Sequence, residues 1–244
     1  QKKLLSVELP QDITSIGQYA FSECAVLNSI VIPESVSYVN AYAFYRCRNL
    51  ANVVVDGAVS IGERAFSECS RLSDVDILGG VSSIGNYAFS GCGGLSSVNI
   101  SEGLSSIGSY AFSGCSSLKD ITIPKISGAI NTYAFQNCSS LENLTVLDGF
   151  TSVGDYAFRG CSTLKSVSLD EVSSIGREAF GDDYSSSYSC SNLTSFTVLK
   201  GLTSIGNHAF GYCTKVKDVN LPEGNISIGS NAFYQCSGLK EINV

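Results

Sequence analysis

Ten cysteines and one histidine are the residues of this 244-residue chain with the widest reach in chemistry. A Ser/His/Asp or Cys/His centre would have to be built on His208, the only near-neutral acid–base side chain present. His208 occupies a column that elsewhere holds Tyr19, Tyr42, Tyr87, Tyr110, Tyr133 and Tyr156, so it reads as a substitution at a variable position. No His/Cys group has metal-ligand spacing. The sequence therefore predicts no catalytic residue, no metal site and no cofactor.

The cysteines Cys24, Cys47, Cys69, Cys92, Cys115, Cys138, Cys161, Cys190, Cys213 and Cys236 stand in one column. Two readings fit them. Neighbours stacked about 4.8 Å apart lie within the separation that a disulfide accepts. Side chains that all point into a core, side by side, instead make buried free thiols, which behave as small hydrophobes. The second is the favoured expectation.

The element that must hold these cysteines is a repeat. Ala-Phe-x-x-Cys recurs ten times, once with an insertion, at Phe21, Phe44, Phe66, Phe89, Phe112, Phe135, Phe158, Phe180, Phe210 and Phe233. Successive phenylalanines are 22 or 23 residues apart, with one gap of 30. A fixed period of this size marks a solenoid whose coils pack only on their neighbours. Between the cysteines runs Leu-x-x-Val-x-Ile, as in Leu95, Val98 and Ile100, whose alternation indicates a strand with one buried face. Eleven such strands are expected, from Leu4–Leu9 to Leu239–Val244, and their common direction requires a parallel sheet. Phe and Cys three apart share one face of a helical turn, so a short 3₁₀ or α turn is expected there, with the rings stacked into a spine.

Gly17, Gly62, Gly85, Gly108, Gly154, Gly176, Gly206 and Gly229 share a column in which only Asn40 and Asn131 replace glycine. That pattern predicts a positive φ. The prolines Pro10, Pro33, Pro124 and Pro222 all follow a strand, where no N–H is needed. The fold class is an α/β solenoid, one domain over residues 1–244. A formal charge of -7 argues against nucleic-acid and anionic-membrane partners, and no apolar run is long enough to insert in a membrane.

The unit Ser-Ile-Gly-x-Tyr-Ala-Phe-x-x-Cys-x-x-Leu-x-x-Val-x-Ile-Pro resembles the BspA-like leucine-rich repeats along the whole chain, nearly to consensus at residues 83–89. The resemblance implies a leucine-rich-repeat horseshoe with its parallel sheet on the concave face. It also implies a cell-surface or secreted protein of anaerobic bacteria or parasitic protists, and adhesion to a host or cell-surface protein or glycan. It carries no catalytic residues.

In such a horseshoe the outward strand positions form the binding face. Asp76, Asn99, Thr122, Thr145 and Ser168 lie in one column, Asp74, Asp120 and Asn143 in the next, and Lys119 and Lys165 in a third. The same small polar residues also suit a solvated strand face with no partner. The insertion after Phe180 brings Asp182, Asp183, Tyr184 and Tyr188, with the adaptable Tyr/Ser chemistry of binding loops. Two adjacent acids are too few for calcium, and a tolerated surface loop is the other reading. The sequons at Asn99, Asn137, Asn143, Asn192 and Asn225 matter only in a eukaryotic secreted chain. Neither end shows a distinct cap, so the chain is read as part of a longer protein, or else as a unit that stacks head to tail into a filament or coat.

Overall fold

A computed structural model describes residues 7–57, 60–78, 80–126, 128–146, 151–169, 172–198 and 200–243. It is a right-through stack of ten coils, numbered here by the phenylalanines in order. Each coil carries one two-residue strand, then the Phe–Cys turn, then one strand of three or four residues. In coil two these are Tyr38–Val39, Phe44 to Cys47, and Asn52–Val55. All pairing is parallel and joins each coil to the next. The first and last of the eleven expected strands reach into Leu4 and Val244, which lie outside the described residues; Val7–Pro10 has no strand pairing, and Glu241–Asn243 forms the tenth long strand.

The two-residue strands were not anticipated. Each Ser-Ile of the Ser-Ile-Gly unit is a rung of a second sheet, ten strands long and unbroken. Its inward Ile61, Ile84, Ile107 and Ile130 are buried in the same core as the long strands' Val53, Val75, Val98 and Ile121. The long-strand sheet is interrupted. Coils one to four form one sheet and coils five to ten another, because Ser97–Ile100 and Asp120–Ile123 share no ladder pairing. Pro124 has no N–H with which to continue the junction, whereas Asp56, Leu78 and Ser101 at equivalent positions donate to the preceding coil.

The Phe–Cys turn is not a helix. In coil two the amides of Ala43, Tyr45 and Cys47 close three-residue turns onto Asn40, Tyr42 and Phe44, while those of Tyr42, Phe44 and Arg46 donate to Glu63, Ala65 and Ser67 of coil three. Alternate amides thus bond within and between coils, which satisfies a curved backbone that a helix would have closed on itself. The phenylalanine spine forms as expected. Phe21 to Phe233 stack ring on ring at 5.0–5.3 Å, and eight of the ten are wholly buried.

All ten cysteines are free. Each from Cys47 onward points its Sγ at the Phe carbonyl of the preceding coil, at 3.0 Å for Cys47 and 3.3 Å for Cys115. The thiol is therefore a small apolar side chain that also donates a weak hydrogen bond. Burial pushes the Cys47 thiol up to about 12 and Cys236 to about 11, which suppresses the reactive thiolate.

Positive φ falls two residues after the glycine column, on Tyr19, Tyr42, Arg64, Tyr87, Tyr110, Tyr133, Tyr156, Glu178, His208 and Asn231. The glycines serve a different need. A Cβ on Gly108 would sit 2.5 Å from the Gly85 carbonyl carbon and 2.6 Å from the Asn86 nitrogen of the coil below. At Gly17 nothing lies within 4 Å. Gly108→Ala is accordingly expected to cost about 2–3 kcal/mol in urea unfolding, by overpacking against rigid backbone. Gly17→Ala should be neutral or slightly stabilising. Equal losses at both positions would show that contact between coils is not what selects glycine.

Candidate functional site

The long-strand face carries the predicted polar columns outward. Thr122 and Thr145 are partners in the ladder, as are Asp120 and Asn143, and all four are exposed. Two cross-coil hydrogen bonds fix the amides: Asn99 Nδ2 donates to Asp76 Oδ1 at 2.6 Å, and Asn143 Nδ2 donates to Asp120 Oδ1 at 2.5 Å. Asp74 accepts from the Ser73 hydroxyl, and Lys165 is ion-paired with Glu142. Lys119 and Ser168 are exposed beside them.

The break between coils four and five gathers part of this set. A groove of roughly 600 Å³ opens there, lined by Asn99, Asp120, Thr122, Asn143 and Thr145, with Ile77, Leu78 and Ile100 along its apolar side. Leu78 is 59% exposed. Ile100 is half-buried, while Ile77 and Ile123 in the same column are fully covered. Asp74, Lys165 and Ser168 lie on the same face outside the groove.

The insertion lies elsewhere, on the Phe–Cys turn of coil eight. Tyr184 and Tyr188 project, at 81% and 50% exposure. Asp182 does the reverse: it is buried, with Arg159 Nη2 at 2.6 Å from its Oδ1 and the Ser185 backbone N–H donating to Oδ2. Asp183 is mostly covered and pairs with Arg177. Buried Glu178 completes the group between Arg177 Nε at 2.8 Å and Arg159 Nε at 3.4 Å. Glu178, Asp182 and Asp183 are the one acidic group among the described residues close enough to share a cation, and all three already face guanidinium groups. The two arginines strap the insertion to the solenoid. Tyr188 takes part as well, offering its carbonyl to the Gly160 N–H and its ring to Arg159.

Sequence reasoning missed a second surface. The tyrosines with positive φ form a ladder: Tyr87, Tyr110, Tyr133 and Tyr156 stack at 4.4–4.6 Å, half-buried. Arg64 takes the missing rung, its guanidinium 4.4 Å from the Tyr87 ring centroid and 5.8 Å from that of Tyr42. Left-handed backbone costs roughly 1 kcal/mol at each such non-glycine residue. Stacking, worth about 0.5–1.5 kcal/mol per pair, offsets it. His208 continues the column, with Nε2 3.4 Å from Asn231 Nδ2 and its ring edge toward Tyr234.

A model of the BspA-type leucine-rich-repeat region matches residues 1–105, 82–187 and 183–244, which together span the chain. The chain belongs to the BspA-type leucine-rich-repeat family. Solved structures agree on the fold. A leucine-rich-repeat protein of Eubacterium ventriosum superposes with a TM-score of 0.55 at 19% identity, over 96% of this chain and 82% of that one. The Treponema pallidum leucine-rich-repeat protein gives 0.51 at 26% identity, over 88% and 78%. A leucine-rich cell surface protein of Faecalibacterium prausnitzii is also similar, with 22% identity and a TM-score of 0.48 over 98% and 87%. A search of curated protein sequences returned no match. Among the described residues, no helix is long and apolar enough to cross a membrane.

Proposed function

We propose that this BspA-type chain is a non-catalytic recognition module, extracellular or displayed at the cell surface. It engages a protein or glycan partner through the long-strand face, centred on the groove between coils four and five. The groove is the observation that carries this reading. At the one interruption of the long-strand sheet among the described residues, a carboxylate, two amides and two threonine hydroxyls meet an aliphatic wall. That mixture suits a ligand with alternating polar and apolar faces, as a sugar chain or an extended peptide has. Among the described residues no aromatic side chain lines the groove, so single contacts are weak and adhesion draws on many copies displayed together.

The test is adhesion of protein-coated beads to epithelial and bacterial cells. Asn99→Lys, Thr122→Lys and Thr145→Lys together fill the groove with long cations while leaving buried positions untouched. A loss of at least about tenfold in bound beads is expected, on the order of one disrupted polar anchor. Undiminished adhesion by a normally folded triple variant would remove the groove from consideration.

A further inference from the structure

We propose that the tyrosine ladder is a homotypic contact, on which a second copy of this chain docks antiparallel about a two-fold axis between coils five and six. The face is distinct from the long strands and the inference does not rest on their role.

Its rungs recur at 4.4–4.6 Å, a spacing imposed by the stacking of coils. A partner that meets every rung must present groups at the same interval. Another copy does so by construction.

The column immediately before the tyrosines decides the orientation. From coil three to coil eight it reads Glu63, Asn86, Ser109, Thr132, Asp155, Arg177. About a dyad between Ser109 and Thr132, each Glu63 meets the partner copy's Arg177, and each Asn86 meets its Asp155. Each favourable pair occurs twice, as an isologous contact requires. Parallel docking in register would oppose Glu63 to Glu63, Asp155 to Asp155 and Arg177 to Arg177, which repels at every charged position.

Asn86 and Asp155 have polar atoms to spare, while Glu63 and Arg177 would share charges already paired within the chain, Glu63 with Arg64 Nε at 3.6 Å and Arg177 with Glu178 and Asp183. Asn86 uses Oδ1 to accept the Ser109 amide at 2.9 Å, leaving its NH₂ for a partner. Asp155 uses Oδ1 for the Arg177 amide at 2.7 Å, leaving Oδ2. The side chains of Glu63 and Arg177 are 51% and 49% exposed. Six coils of one flank make a small contact, so the dimer is reversible and concentration-dependent rather than permanent.

The experiment is light scattering of the whole chain over a hundredfold concentration range, with Glu63→Lys as the variant. Mass is expected to climb from 25.7 kDa toward twice that value and stop. Glu63→Lys, which reverses two pairs per dimer on an exposed side chain, should weaken association about tenfold. A second measurement fixes the geometry. Ser109→Cys and Thr132→Cys chains, mixed under mild oxidation, should cross-link faster than either variant alone, because the dyad sets these positions face to face. A constant mass, growth beyond two chains, or a dimer indifferent to both Glu63→Lys and the choice of cysteine pair would each overturn the proposal.

Discussion

Phe112→Ala is expected to split the unfolding of this solenoid into two steps. Truncating a buried phenylalanine costs about 3–5 kcal/mol through lost burial and the cavity left behind. Phe112 also stacks on both neighbours, at 5.3 Å from Phe89 and 5.2 Å from Phe135. The position matters as much as the size. Coils four and five have no ladder pairing between their long strands. Their junction is carried instead by the two-residue strands, by the turn amides of Tyr87, Phe89 and Gly91 on coil five, by the Phe89–Phe112 and Tyr87–Tyr110 stacks and by the Cys115 thiol on the Phe89 carbonyl.

In a nearest-neighbour solenoid, stability is a sum of coil terms and junction terms, and cooperativity survives only while each junction outweighs the difference between its two sides. Phe158→Ala supplies the comparison. It removes the same side chain from coil seven, whose long strand pairs on both sides. Urea unfolding followed by circular dichroism, with hydrogen exchange read coil by coil, should show a loss of about 4 kcal/mol in both variants. Only Phe112→Ala should give two transitions, with coils one to four and five to ten exchanging separately. Coincident single transitions in both would mean that the sheet break is energetically silent.

The same weak junction separates what was legible in the sequence from what was not. Periodicity located the solenoid, the phenylalanine spine and the inward cysteines, because core spacing repeats without error and each repeat must bury the same face. The outward polar columns were legible for the same reason, since alternation sends Asn99, Thr122 and Thr145 opposite to Val98, Ile121 and Leu144. The sheet break was not legible. Pro124 follows the strand at the break, yet Pro222 occupies the same column without dividing the sheet, so no single residue announces it. The glycine column has a different cause from the one its pattern suggests: absence of Cβ relieves contact between coils, while the left-handed residue stands two positions on and is a tyrosine in six of the ten coils. A pattern of glycine alone cannot distinguish conformational freedom from close approach. Arg159 was within reach, because the 22-residue step from Phe158 to Phe180 sets Gly181 in register with it, and Asp182 stands one residue further on, within the span of a long arginine side chain.

That register makes Arg159→Ala the second large loss. The variant would leave Asp182 buried with no cation beside it, held by the Ser185 backbone and hydroxyl and the Asp183 backbone, and would leave Glu178 to Arg177 alone. Removing one member of a buried pair costs about 3–5 kcal/mol, because the remaining charge is stranded. Arg159 keeps some solvent contact, at 22% side-chain exposure, so about 3 kcal/mol is the expected figure. The two carboxylates predict the pH dependence with opposite signs. Burial pushes the Asp182 carboxyl up, but the Arg159 hydrogen bond and charge more than reverse it, leaving it below the ordinary aspartate range. Its contribution is present above about pH 4 and lost as pH falls further. Burial dominates at Glu178 and holds it above the ordinary glutamate range, despite both arginines. Its contribution is present below about pH 4 and declines as pH rises through its folded value. Without Arg159 the Asp182 term disappears, so the variant should lose stability at pH 7 and lose much less on acidification than the parent. Protease cleavage within 183–187 should rise in step, since the strap holding the insertion is gone. A variant as stable as the parent at pH 7, with an unchanged acid limb, would show that Ser185 and the turn geometry hold the loop without the ion pairs.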